Sequence, residues 1–250
     1  MLLIHTSSLP LESTVREHFL ATSILAPLVG FHMPHYPLWK LGYLLDEKWV
    51  EEDILDALAE LTYFTHAALQ HHGKPPPVLY FPTKFLTDAR LLYCQSPRMY
   101  SPELSTFHEH LQSTTVDFIG FLSCVGGHYS GFILDRTGLS HADSLGYPAS
   151  TGILGVIQWL LLGTGYPVPS SIVEVDFPRQ NSSGPGSGSC GIAAHNFITH
   201  SFASCSASHG SSMLRTASWT SEASPFFRDQ ALQDMIQFHL CALASPMVRH

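Results

Sequence analysis

Residues 115–143 constrain this chain more than any other stretch. They read as successive strands with useful side chains at their ends. Thr115–Leu122 is a β-branched and aromatic run, Tyr129–Leu134 a second apolar run, and Leu139–Asp143 a third. Gly126-Gly127 comes before the second run, and Asp135-Arg136-Thr137-Gly138 reads as a turn after it. His128 heads the second strand and Asp143 closes the third. Adjacent strand ends can bring an imidazole and a carboxylate within hydrogen-bond reach, which fixes the ring's tautomer. Asp135 competes for that role, but its place before Arg136-Thr137-Gly138 suits a turn residue better.

The rest of the chain alternates helices with shorter extended pieces. From Asp46 to about Gln70, Trp49, Ile54, Leu55, Leu58, Leu61 and Phe64 recur at helical spacing, with acidic residues near the start as the helix dipole favours. Val78–Phe81 is a short strand, and Phe85–Tyr93 a helix. Thr151–Leu162 is an apolar helix with Ser150 or Thr151 as its cap. Ser171–Phe177 alternates apolar and polar residues as a strand does. Ser182–Ser189 is a flexible Gly/Ser loop, and a helix opens directly at Cys190 and runs to about Phe202. Residues 203–224 are serine-rich and loose. Pro225–Ala244 is a closing helix that buries Phe227, Leu232, Met235, Ile236 and Leu240. Residues 1–40, with Pro10, Pro27, Pro34 and Pro37, read as an irregular arm with one short helix, ahead of a single domain over 41–250.

Composition excludes several functions. Charged residues make up only 13% of the chain, about half the usual share, so it is neither disordered nor highly solvated. The net charge of −8, with no basic run, disfavours nucleic acid as the partner. Cys94, Cys124, Cys190, Cys205 and Cys241 are scattered and odd in number, with no CxxC pair, which argues against a disulfide framework or zinc knuckle. The start, Met1-Leu2-Leu3-Ile4-His5, lacks the basic region of a signal peptide. The longest apolar stretch, 152–163, contains Gln158 and is too short to span a bilayer. The expectation is a monomer of the nucleus or cytoplasm, without membrane, metal or cofactor.

Cys190 stands out chemically. It follows a loop and begins a helix, so the helix amides point at its sulfur, and a cationic histidine nearby would further favour a thiolate. The competing reading is a buried structural thiol. His128, alone, is one histidine among 16. Gln180, at a strand end upstream of Cys190, could donate to an oxyanion together with the Cys190 amide. Base, orienter, amide donor and nucleophile thus occur in the order His128, Asp143, Gln180, Cys190, which excludes the papain order with the cysteine first. Other motifs fail. Gly186-Ser187-Gly188-Ser189-Cys190-Gly191 fits GxGxxG, but no Asp or Glu occurs between Asp176 and Glu222 to hold a ribose. No GxSxG occurs. His66, His71 and His72, and His108-Glu109-His110, match no zinc spacing and read as exposed or capping histidines.

His128-Tyr129-Ser130 before an apolar strand, then Asp143-Ser144-Leu145, Pro178-Arg179-Gln180-Asn181 and Ser189-Cys190-Gly191 before a helix, resemble the ubiquitin-like-protein proteases, the SUMO-deconjugating group. Trp49–Ile54, Val78–Phe85 and Phe227–His239 are similar to further segments of that family, and the resemblance spans about residues 40–245. It implies an α+β, papain-like cysteine protease core in permuted order, with a central mixed sheet flanked by helices. Residues 41–250 would be the catalytic domain. His128 would be general base, Asp143 the orienter, Cys190 the nucleophile and Gln180 the oxyanion donor. The substrate would be a ubiquitin-like protein or its conjugates, cleaved after a C-terminal glycine. Trp49 would form one wall of a tunnel around a di-glycine tail, with Tyr129 where the family has a second tryptophan. Ser189 stands where the family usually has Asp, and the spacing from Gln180 to Cys190 is longer than the family's. The alternatives are a catalytically weak domain that binds a ubiquitin-like protein, a protease-like domain of a mobile element, and an acetyltransferase using the same Cys/His/Asp set.

Overall fold

The computed structural model describes residues 21–32, 36–45, 47–68, 77–95, 101–113, 115–206 and 218–244. A 3-10 helix, Leu38–Leu44, leads into α1 (Glu52–Ala68). Then come β1 (Val78–Phe81), α2 (Thr83–Gln95), α3 (Pro102–Ser113), β2 (Phe118–Val125), β3 (His128–Asp135), β4 (Leu139–Ala142), α4 (Ile153–Leu161), β5 (Ile172–Glu174), α5 (Cys190–Ser206) and α6 (Ser224–Ala244).

The strands form one five-stranded mixed sheet in chain order. β1 and β2 are parallel, joined through α2 and α3, while β4 and β5 are parallel, joined through α4. β2–β3–β4 is an antiparallel meander. Alternation along β2 and β3 splits the core. Leu122, Tyr129 and Ile133 face α1, α5 and α6. Ile119, Phe121, Phe132 and Leu134 face α2, α3 and α4. This is the expected α+β arrangement, a mixed sheet between helical layers. Leu28, Phe31, Tyr36 and Leu38, from the stretch read as an arm, are buried in the first of these cores.

Two glycines let α5 come close to the sheet. A Cβ on Gly120 would lie 2.4 Å from Ile198, and one on Gly131 would lie 3.0 Å from the Ala194 carbonyl. The β2–β3 hairpin turns on Gly126 and Gly127, with φ of 60° and 82°, the double positive φ that a two-residue hairpin of this twist requires. It pairs Val125 with His128, and β3 in turn pairs Gly131 with Ala142. Continuing that register sets Asp143 across from Ser130, at the end of the sheet where His128 begins its strand.

Several element bounds differ from the sequence reading. β2 starts and ends three residues later than Thr115–Leu122, because Asp117 and Phe118 both donate to the Pro77 carbonyl where the ladder begins and the hairpin pairs Val125 with His128 where it ends. Of the expected strand 171–177, Ile172–Glu174 forms the ladder and the Val175 amide still donates to the His141 carbonyl, after which short β4 has ended. α1 begins at Glu52 rather than Asp46, since 47–50 are drawn into contacts described below. α4 is preceded by Gly152 in the left-handed region with no side-chain cap bond, so neither Ser150 nor Thr151 caps it. α3 was not anticipated. Ser101 Oγ accepts from the Leu104 amide at 3.3 Å, Pro102 opens the first turn, and Leu104, Phe107 and Leu111 form its buried face. His66 is buried on α1 rather than exposed, and burial lowers its pKa. His71, His72, residues 207–217 of the serine-rich stretch, and residues 1–20 and 33–35 of the arm lie outside the described residues. No described helix is long and apolar enough to cross a membrane. Among the described residues no group of three or more His, Cys, Asp or Glu side chains could hold a metal ion.

Candidate active site

The strand ends bring His128 and Asp143 together, Nε2 to Oδ2 at 2.8 Å. Asp143 is buried, and its other oxygen accepts from the Leu145 amide at 2.7 Å. Burial opposes its charge, but the His128 bond and the backbone donors outweigh that and hold its pKa below the usual carboxylate value. The His128 ring also hydrogen-bonds the Cys190 side chain. Burial lowers the pKa of His128, but the bonds to Asp143 and Cys190 win and push it up to about 9. The ring is therefore an imidazolium at neutral pH. Tyr147 stands edge-on to it, 5.8 Å between centroids. Asp135, the competing carboxylate, accepts from the Thr137 and Gly138 amides and the Thr137 hydroxyl, as its turn position suggests.

Cys190 is the first residue of α5. The Ser189 carbonyl accepts the first helical bond from the Ala193 amide, so the Cys190 N–H belongs to the first turn, where amides have no helical partner. Gly191 lets this helix start press on α1, because a Cβ there would lie 2.9 Å from Leu55.

Gln180 is tied to the residue after Asp143. Its amide N–H donates to the Ser144 carbonyl at 2.8 Å, and its Oε1 accepts from Ser144 Oγ at 2.9 Å. Its Nε2 donates to the Ser187 carbonyl at 3.2 Å, on the approach to Cys190. One side-chain amide thus spans the aspartate turn and the cysteine loop. Arg179 donates to the Leu145 carbonyl and lies over Gly146, steadying the same turn.

The cysteine loop is pinned rather than flexible, contrary to the reading from its glycines. The Gly186 amide donates to Glu47 Oε2 at 2.9 Å, and the Ser189 amide to the Gly186 carbonyl at 3.2 Å. The Asn181 amide donates to Ser221 Oγ at 2.8 Å, and its Nδ2 to the Pro185 carbonyl at 2.9 Å. Two of its glycines serve close packing: a Cβ on Gly188 would lie 2.1 Å from the Glu47 carbonyl, and one on Gly186 2.1 Å from Ser221 Oγ.

Arg228 of α6, 1% exposed, sits behind the loop. Its guanidinium donates to the carbonyls of Tyr43 (2.9 Å), Lys48 (2.8 Å) and Gly188 (3.0 Å), and to Ser189 Oγ from Nε (3.0 Å) and Nη2 (2.9 Å). Sequence reading missed this residue; the one signal was that it is the closing helix's single Lys or Arg. Arg228→Met would strip the donor from several buried carbonyls and is expected to cost ~3–5 kcal/mol, read by urea unfolding.

Trp49 and Tyr129 line one cleft with Lys40, Glu52, Cys124 and Gly127. The Trp49 ring lies against Gly127, where a Cβ would approach to 2.8 Å, and is 55% exposed. Tyr129 is buried and hydrogen-bonds the Cys124 side chain, and burial holds its phenol neutral. Gly127 and Tyr129 of this cleft flank His128 along the chain, and Cys124 and Tyr129 both lie close enough to Cys190 to interact with it electrostatically. All the side chains singled out from sequence therefore gather at one end of the sheet.

No protein-family profile matches the sequence, and no curated protein matches it. Solved structures do match the fold. The chain is similar to the C-terminal Ulp1 protease domain solved in complex with Smt3, the yeast ortholog of SUMO, at 15% identity and TM-score 0.64, over 94% of this chain and 100% of that one. It is similar to the Chaetomium thermophilum Ulp1-like SUMO protease catalytic domain at 16% identity and TM-score 0.57, over 92% and 90% of the two chains. A de-sumoylating protease matches at 13% identity and TM-score 0.53, over 84% and 87%. The fold of this chain is the Ulp1-like protease fold.

Proposed function

We propose that this chain is a thiol peptidase that cuts the bond after the C-terminal glycine of a ubiquitin-like protein, in a precursor or an isopeptide conjugate. The observation that carries the reading is the hydrogen-bonded line from Cys190 through His128 to Asp143, set at the start of a helix. In this reading Cys190 attacks the scissile carbonyl carbon as the thiolate, its proton held by His128. As the C–N bond breaks, His128 gives that proton to the departing amine. Water then attacks the thioester, His128 takes the water's proton, and the sulfur leaves. The Cys190 amide and the second N–H of Gln180 Nε2 donate to the oxyanion at each stage. Trp49 and Tyr129 flank the tail, where a residue without a side chain fits best.

A panel of ubiquitin-like proteins, each ending in Gly-Gly and fused to a reporter, tests this. Release of the reporter at the second glycine by at least one fusion is expected. Failure of the folded protein to cut any of them would end the proposal. Gln180→Ala is expected to lower kcat by ~10²–10³ on the fusion that is cut.

A further inference from the structure

We propose that Glu47 is a positioning residue for Cys190, supplying from a distant segment the carboxylate that balances Arg228 and holds the cysteine loop. The inference rests on Cys190 being the nucleophile of the proposed peptidase. Glu47 Oε2 accepts from the Gly186 amide at 2.9 Å and from Ser189 Oγ at 3.3 Å, and lies 3.8 Å from Arg228 Nε. Ser189 is fully buried, directly before the nucleophile, and its hydroxyl also meets Ser224 Oγ at 2.5 Å. Arg228 reaches past Ser189 to the carbonyl of Lys48, the residue before Trp49. One charged cluster thus joins the wall of the substrate cleft to the loop that aims the sulfur. A buried guanidinium needs a nearby anion, and no carboxylate is available at position 189. Glu47 fills that need and uses the same oxygen to fix the loop. Movement of the loop by a fraction of an ångström would pull Cys190 from His128, so the link acts on turnover more than on substrate affinity.

The geometry gives a specific reversal. Ser189 Oγ lies about 3 Å from two guanidinium nitrogens, so an aspartate at 189 would meet Arg228 directly. With Glu47 present, Ser189→Asp sets two carboxylates together and is harmful; with Glu47 removed, it restores the balance.

The test measures kcat and KM on a cleaved fusion for Glu47→Ala, Glu47→Gln, Ser189→Asp and the Glu47→Ala/Ser189→Asp double variant. Alongside it, iodoacetamide alkylation of Cys190 is followed against exposed Cys94 and Cys241. Glu47→Ala is expected to lower kcat by ~10-fold or more with KM within about twofold, and to slow Cys190 alkylation several-fold without affecting the other thiols. The double variant should recover to within about threefold of wild type, although Ser189→Asp alone loses activity. Glu47→Gln, which keeps the acceptor for Gly186 and loses the charge, should fall between and covers the case in which the alanine variant fails to fold. Wild-type turnover and Cys190 alkylation in folded Glu47→Ala and Glu47→Gln, or a double variant no better than Glu47→Ala, would overturn the inference. If no fusion is cut even by wild type, the peptidase reading fails on its own. The alkylation rates then still decide whether Glu47 positions Cys190.

Discussion

Cys190→Ala is expected to abolish cleavage, with a loss on the scale of ~10⁶ in kcat for removal of a nucleophile, while the protein still folds. The size follows from the site's construction. Without the sulfur no acyl-enzyme forms, and the helix amides and Gln180 are left to act on water held in no defined position. The fold should tolerate the change. Cys190 is small, Ala193 and Ala194 follow in the same helix, and loop anchoring runs through Gly186, Gly188 and Ser189 rather than the thiol. Near-UV circular dichroism and reporter release by the same preparation measure both halves of the expectation.

Asp143→Ala should lower kcat by ~10⁴, because it removes the carboxylate that orients the His128 ring and balances its charge. Asp143→Asn should lose less, since an amide can still orient the ring but cannot balance the imidazolium. The pH profiles separate these effects. His128 must carry a proton to the leaving amine, so wild-type turnover should fall as pH rises through about 9. In Asp143→Asn that alkaline limb should move down, as the carboxylate no longer supports the charge. Stability follows the same sign. A histidine whose pKa rises from 6.5 to about 9 on folding contributes stability fully below 6.5 and loses it as pH climbs through about 9. The Asp143 carboxylate, lowered on folding, contributes above its unfolded value near 3.8 and loses that contribution as pH falls. Urea unfolding of wild type against Asp143→Ala, from pH 5 to pH 10, should therefore show the widest gap at the acid-neutral end.

Much of this site was legible because it is carried by local pattern. The Gly126-Gly127 break, the Asp135 turn and the β-branched and apolar runs of β2–β4 fix where His128 and Asp143 end up, and Cys190 marks its own helix start. The parts that were not legible depend on partners far away in sequence. Arg228 reaches Lys48 across 180 positions, and Glu47 reaches Gly186 across 139. No periodicity encodes such pairs, so a glycine-rich loop looked flexible when Gly186 and Gly188 serve close packing. Gln180 was read only as an amide that could donate to an oxyanion; the Ser144 hydroxyl that holds it had no signal in the sequence beyond lying next to Asp143. α3 was hidden differently. Leu104, Phe107 and Leu111 do recur at helical spacing, but His108, His110 and the serines around them dilute the pattern, and packing against α4 supplies what propensity does not.

The central claim is that Cys190 reacts because His128, held by Asp143, lies beside it. A ubiquitin-like protein carrying a C-terminal electrophile in place of its scissile bond tests that claim most directly, with the adduct mapped by mass spectrometry. The account predicts a single adduct on Cys190 in the wild-type protein and its loss in folded His128→Ala. Equal labelling in His128→Ala, or an adduct on Cys124 instead, would contradict it.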